Sequence, residues 1–333
     1  MNILKTHFEN LLNPNIEEVR YHLAWPNLYV SCLGSNITME EFNFVLSSSP
    51  CKKAPGPNGI SIEFYKNMTL SMKQAMVVGF NSILQGNNIS AEYLKAIIFP
   101  IFKKGDRQDP SNYRGISFLN ASLKLFTAIL KERLVKWIED NNILSEFQGG
   151  FRKYHSTVDQ IFNLLNIAHM RTIRGYKLYA FFVDFRTAFD HIQRDMLFYK
   201  LSQVGLSTKF LNILRALYEN TFVKVASGKC TSDSFQTKFG IKQGCNISPT
   251  LFSLFIDDIQ ENMPGGVDIG ETRVKVLMYA DDIVLLAKTP EAMRFMVSRL
   301  KQYCGNWGLT VNLDKSKIMI FRKGTGPYAA SER

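Results

Sequence analysis

The sequence predicts an α+β fold, an antiparallel sheet with helices on one face. Three observations lead there. Tyr279-Ala280-Asp281-Asp282 lies between the apolar runs Val274–Met278 and Ile283–Ala287, the pattern of strand, tight turn and strand. Tyr179–Val183 is an unbroken apolar run of strand length, as a central strand requires. Helical spacing recurs between and after these runs, so the order reads strand, helix, hairpin, helix, strand.

The elements follow in order. Residues 1–37 are weakly patterned. Thr38-Met39-Glu40-Glu41 has the Thr-x-x-Glu form of a capping box and opens a short helix to about Leu46. Lys52–Gly59, rich in Pro and Gly, is a loop, and residues 61–85 are helical. Lys95–Phe102 is a strand, with Pro100 arguing for a sheet edge. Gly105–Arg114 is a polar loop. Leu119–Ile138 is a long amphipathic helix in which Leu123, Phe126, Leu130, Leu134 and Trp137 recur on one face. Gln148–His155 is a Gly-rich, basic loop before a helix over Thr157–Arg171. Helices are predicted at Arg194–Val204, Thr208–Tyr218, Pro249–Glu261 and Pro290–Trp307. A hairpin joins Thr221–Ala226 to Phe235–Phe239, and Lys317–Arg322 closes the pattern as a strand.

At 333 residues the chain can bury one or two sizeable cores. With 46% apolar and 21% charged residues it has a globular composition. No apolar run reaches the length of a membrane span, and MNILKTHFEN is unlike a signal peptide. Residence in the nucleus and cytoplasm, with no membrane partner, is the expectation. Five scattered cysteines, none spaced Cys-x-x-Cys, argue against a disulfide framework or a structural zinc site. The net charge of +11 points to a nucleic-acid partner, with bases clustered at Lys103, Lys104, Arg107 and Arg114, at Lys124, Lys131, Arg133 and Lys136, and at Arg152 and Lys153.

Asp281 and Asp282 are adjacent acids between apolar strands. Such a pair repels itself and is costly to bury, so a divalent cation is one economical partner. A turn that simply favours Asp is the other reading. Asp184 ends the central strand, and acids from different strands are what a two-metal site needs. A helix cap or turn acid is the alternative for Asp184. Asp190 is a competing acid, read as capping or orienting a turn. Gly240–Cys245 is a Gly-bounded polar loop before a helix, where a backbone can approach a flat substrate closely.

Seven blocks occur in order along residues 37–321. They are Lys53–Ile60; Phe102–Asp106 with Asn112–Ser117; Phe147–Arg152 with Ser156-Thr157; and Phe182–Phe185 with Ala188–Asp190. Gly240–Cys245 with Ser248-Pro249, Tyr279–Asp282, and Gly308–Asn312 with Lys315-Ser316 complete them. Together they resemble the reverse transcriptase domain of non-LTR (LINE-like) retrotransposons. The resemblance implies a right-hand polymerase, with fingers over 37–175 and a palm over 176–322 built as a ferredoxin-like antiparallel sheet. An N-terminal extension would cover 1–36 and a tail 323–333. The family's thumb and nicking domain have no counterpart in the sequence.

The resemblance also implies the site. Asp184 and Asp281 would hold two Mg²⁺ ions, with Mn²⁺ able to substitute, and Asp282 would support them. Phe185 would add its carbonyl. Phe189 would be the gate against a 2′-hydroxyl. Gln243 and Gly244 would lie along the incoming dNTP. Arg114 would clamp the triphosphate with Lys103 or Lys104, and Lys315 would protonate pyrophosphate. Arg152 and Lys153 would touch the RNA template or DNA primer. Cys245-Asn246-Ile247-Ser248-Pro249 departs from the family's usual Cys-Pro-Leu-Ser-Pro, which puts the stiffness of that loop in doubt. The expected activity is RNA-directed DNA synthesis. The rival is a truncated relic that binds nucleic acid without effective synthesis.

Overall fold

The computed structural model describes residues 1–15 and 31–324. Parts of the expected N-terminal extension (16–30) and tail (325–333) lie outside the described residues. The fold packs as two units, Met1–Asn141 with Phe189–Leu251, and Asn142–Ala188 with Phe252–Arg333. The expected division at 175/176 cuts the chain once, whereas packing crosses between units three times.

In the first unit, Thr38 starts helix Met39–Ser48 with the predicted capping box. Its hydroxyl accepts from the Glu41 N–H at 3.3 Å, and the Glu41 carboxylate accepts from the Thr38 N–H at 2.9 Å. Residues 61–85 form two helices, Ile62–Lys66 and Leu70–Leu84, because Thr69 caps a new start by accepting from the Met72 N–H. Helix Ala121–Asp140 turns Leu123, Phe126, Leu130 and Leu134 inward. Phe80 lies between Phe42 and Phe126, with centroids 6.1 and 5.1 Å away.

The sheet of this unit corrects two readings. Tyr113–Leu119 is a strand, paired antiparallel along all of Ala96–Phe102. The Gly105–Arg114 loop therefore ends early, and the helix starts after Leu119. Ala96–Phe102 is also internal, since Phe222–Ser227 pairs with it in parallel. That second pairing stops at Ile98, so Pro100 still sits where one side is open and its missing N–H is not needed. Phe222–Ser227 pairs antiparallel with Phe235–Gln236, as the predicted hairpin requires.

In the second unit, strands lie in the order Lys317–Phe321, Leu178–Val183, Asp282–Ala287 and Val276–Tyr279, all antiparallel. Helix Thr157–Ile173 packs Leu164, Ile167 and Ala168 against Leu178, Ala180, Leu277 and Leu286. Helix Pro290–Trp307 packs on the same two central strands and ends at Gly308 with φ 66°, the left-handed cap that glycine adopts without strain. The predicted Pro249–Glu261 helix is two, Ser248–Ile256 and Ile259–Asn262. The Val274–Met278 run is divided between Thr272–Val274, which makes a ribbon with Val267–Ile269, and Val276–Tyr279. No helix among the described residues is long and apolar enough to cross a membrane.

Candidate active site

Asp184 follows the central strand Leu178–Val183, and its backbone is held on both sides by one segment. The Asp184 carbonyl accepts from the Asn312 N–H at 2.7 Å, and the Arg186 N–H donates to the Thr310 carbonyl at 2.8 Å. The Asp184 N–H donates to Ser316 Oγ at 3.0 Å. The Gly308–Ser316 block thus anchors the first acid. Phe185 is buried and bridges to Val311. Lys315 places its ammonium 3.5 Å from Asp184 Oδ2, and that buried oxygen has no hydrogen-bond donor.

The hairpin joins Tyr279 to Asp282 through a two-residue turn, Ala280-Asp281. Ala280 has φ 59°, a left-handed conformation that costs a residue with a Cβ. Asp282 opens the next strand. Burial raises its pKa above the usual carboxylate value, helped by the negative charges of Asp281 and Asp184. Ile283 pairs with Val183, so Asp282 and Asp184 stand side by side at the ends of adjacent strands. A cleft of about 390 Å³ runs beside them, lined by Gln160, Leu164, Asp184, Tyr279, Asp282 and Lys315 among others.

The first unit gathers a different set of the expected residues. Gln243 Nε2 donates to both oxygens of Asp190, at 2.9 and 2.8 Å. Burial pushes the Asp190 carboxyl up to about 6, opposed by the Gln243 bond and the positive charges of Lys103 and Arg114. Asp190 is thus more than a turn cap, since it orients Gln243 and lies within the field of the two cations. The adjoining loop is pinned further. The Ile241 N–H donates to the Phe189 carbonyl at 2.9 Å, and the Ser117 N–H to the Gln243 carbonyl at 2.7 Å. Gly244 has φ 117°, and a Cβ there would fall 2.5 Å from the Ser117 carbonyl oxygen, so only glycine fits.

Arg194 carried no signal in the sequence. Its buried guanidinium donates to the carbonyls of Tyr218, Thr237, Phe239 and Gly240 and to Thr237 Oγ1, fastening the chain that leads into Gln243. Desolvation lowers its pKa to about 10.

Other expected contacts are placed as follows. Lys103 and Lys104 are both exposed, and Lys103 is the one whose charge bears on Asp190. Lys153 is exposed and lies over the Tyr154 ring at 4.9 Å. Arg152 donates to the carbonyls of Ser145 and Gln148, which makes it a brace of its own loop. Arg133 leaves the basic cluster proposed for nucleic acid. It is buried, paired with Glu41 at 2.7 Å, and donates to the Ser35 and Asn36 carbonyls.

Over residues 101–329, more than half of the chain, the sequence matches the family described as reverse transcriptase (RNA-dependent DNA polymerase). The chain belongs to that family. Its relatives assign this reverse transcriptase domain to non-LTR, LINE-like elements. It is 26% identical over 299 residues to the RNA-directed DNA polymerase from mobile element jockey of Drosophila melanogaster, covering 88% of this chain and 32% of the relative. It is 29% identical over 321 residues to the probable RNA-directed DNA polymerase from transposon BS of the same fly, covering 93% and 35%. The R2 Pol polyprotein of Nasonia vitripennis is 25% identical, covering 78% and 25%. The chain thus spans about a third or less of these relatives. Apo telomerase from Candida tropicalis, truncated from its C-terminal domain, superposes with a TM-score of 0.53 at 14% identity, covering 78% of this chain and 57% of that one. That likeness shows the reverse transcriptase fold of fingers and palm.

Reverse transcriptases use divalent metal ions, and the acids here fit one in charge and donor type. Carboxylate oxygens suit hard cations, and Asp184 Oδ2, with the Lys315 ammonium 3.5 Å away and no hydrogen-bond donor, is an oxygen able to take one. Among the described residues, no three or more His, Cys, Asp or Glu side chains form a ready metal cage. Mg²⁺ in nucleotide enzymes commonly takes one or two carboxylates and completes its shell with substrate phosphates and water, so an open set is what this chemistry uses.

Proposed function

We propose that this domain carries out RNA-directed DNA synthesis, adding dNTPs to a DNA primer 3′-hydroxyl on an RNA template. The pairing of Ile283 with Val183, which sets the hairpin acids Asp281 and Asp282 beside Asp184 along one cleft, is the observation that supports it. In this reading the fingers extend over 37–175 and the palm over 176–322. Asp184, Asp281 and the Phe185 carbonyl would hold two Mg²⁺, and the ions would supply Lewis-acid activation of the primer hydroxyl and charge neutralisation at the phosphates. Asp282 adds negative charge beside them. Arg114 and Lys103 grip the triphosphate, as guanidinium geometry suits phosphate. Gln243, oriented by Asp190, and Gly244 lie along the nucleotide. Phe189 stacks beneath the sugar and excludes a 2′-hydroxyl. Lys315 gives a proton to the leaving pyrophosphate. Lys153 meets template or primer backbone, with Arg152 holding the loop that presents it. A template RNA and a DNA primer make the nucleus and cytoplasm the compartments of this work.

The test is primer extension on an RNA template with a DNA primer, dNTPs and Mg²⁺, beside Asp281→Ala. Loss of one metal-holding acid removes several kcal/mol of charge stabilisation, so extension falls at least about 100-fold. A folded wild-type protein that binds the duplex and makes no DNA would refute the polymerase reading.

A further inference from the structure

We propose that Gln148 is a positioning residue that fixes the turn carrying Asp281. The role assigned to Asp281 rests on the polymerase reading above, while the geometry of the turn does not. Gln148 is fully buried. Its Oε1 accepts two backbone N–H groups, from Gly150 at 2.8 Å and from Ala280 at 3.0 Å. The Ala280 N–H belongs to a turn residue with no ladder partner. A buried N–H without an acceptor is costly, and Gln148 supplies that acceptor.

The neighbouring backbone makes the contact rigid. The Met278 N–H donates to the Phe147 carbonyl, and the Gly149 N–H to the Met278 carbonyl, both at 2.9 Å. Gln148 thereby bridges Met278 in parallel, extending the hairpin strand by one short rung. Arg152 braces the Gln148 carbonyl from behind at 3.4 Å. Gly150 sits so close that a Cβ would fall 2.0 Å from the Ala280 nitrogen. The two-residue hairpin turn itself calls for a positive φ at its first position, and these contacts hold Ala280 at its 59°. Released from Gln148, Ala280 would relax toward a commoner conformation and rotate the following carboxylate away from Asp184. The Phe147–Arg152 block thus reaches the turn that carries Asp281 through one amide oxygen.

The experiment uses Gln148→Met, which removes the acceptor at nearly constant volume. Gln148→Asn, too short to reach Ala280, replaces Met if that variant does not fold. Two readouts are taken: hydrogen exchange of the 276–283 segment, and steady-state kinetics of dNTP addition. Loss of the bond raises exchange at the Ala280 amide at least about tenfold. It lowers kcat at least about tenfold while KM for dNTP stays within about threefold, because the acids and not the nucleotide grip are displaced. Unchanged exchange in the Met or Asn variant overturns the proposal, and so does raised exchange with kcat unchanged. A wild type that makes no DNA defeats the polymerase reading, while the exchange arms still decide the role of Gln148.

Discussion

Phe189 is the residue whose chemistry reads most directly as selectivity. It follows Asp184 by five positions, and its carbonyl is fastened by the Ile241 N–H, so its backbone cannot drift. In the proposed role a ring there rejects a ribose by collision with the 2′-oxygen, and a methyl group does not. Phe189→Ala is expected to raise incorporation of rNTPs relative to dNTPs by at least about tenfold, which corresponds to about 1.4 kcal/mol of lost discrimination. Competition assays with matched rNTP and dNTP pairs measure it, and unchanged discrimination would remove Phe189 from the gate. The residue beside it, Asp190, shows the limit of reading side chains singly. In the sequence it is one more turn acid. In the fold it accepts both bonds of Gln243 Nε2.

At the scale of elements, local signals translated well where they were local. The Thr38 capping box, the start of helix Pro290–Trp307 and its Gly308 stop depend on residues within four positions of one another. Tyr113–Leu119 was missed because its first half is polar, and only pairing along Ala96–Phe102 makes it a strand. Glu41 joins two elements. It closes the box on Thr38 and pairs with buried Arg133 of helix Ala121–Asp140. Glu41→Ala leaves that guanidinium without a countercharge. The exposure of Glu41 softens the penalty, so the expected loss is about 2 kcal/mol of folding stability. Urea denaturation measures it, and a change below about 0.5 kcal/mol, the level of an ordinary surface substitution, would mean the backbone carbonyls alone hold Arg133.

At the scale of the whole molecule, the net charge of +11 bears on affinity for nucleic acid. If about six of the exposed bases meet phosphates, primer–template affinity falls roughly 10³-fold between 50 and 200 mM salt. Filter-binding or anisotropy titrations across that range provide the slope. A flat response would show that the basic clusters do not touch backbone. Arg133 already lies outside this count, since its charge is committed inside the fold.

The sequence alone determined the family and the fold class and singled out the candidate acids, because these are carried by contiguous blocks and short-range periodicity. Asp184 at a strand end and Asp281 in a hairpin turn were legible for that reason. Tertiary structure decided which groups serve those acids. Gln148 meets Ala280 across 132 positions, Ser316 meets Asp184 across 132, and Gln243 meets Asp190 across 53. No propensity or spacing encodes such pairings. A buried amide or carboxyl takes whichever partner packing brings within hydrogen-bond reach, and the cost of leaving it unpaired then holds the arrangement in place.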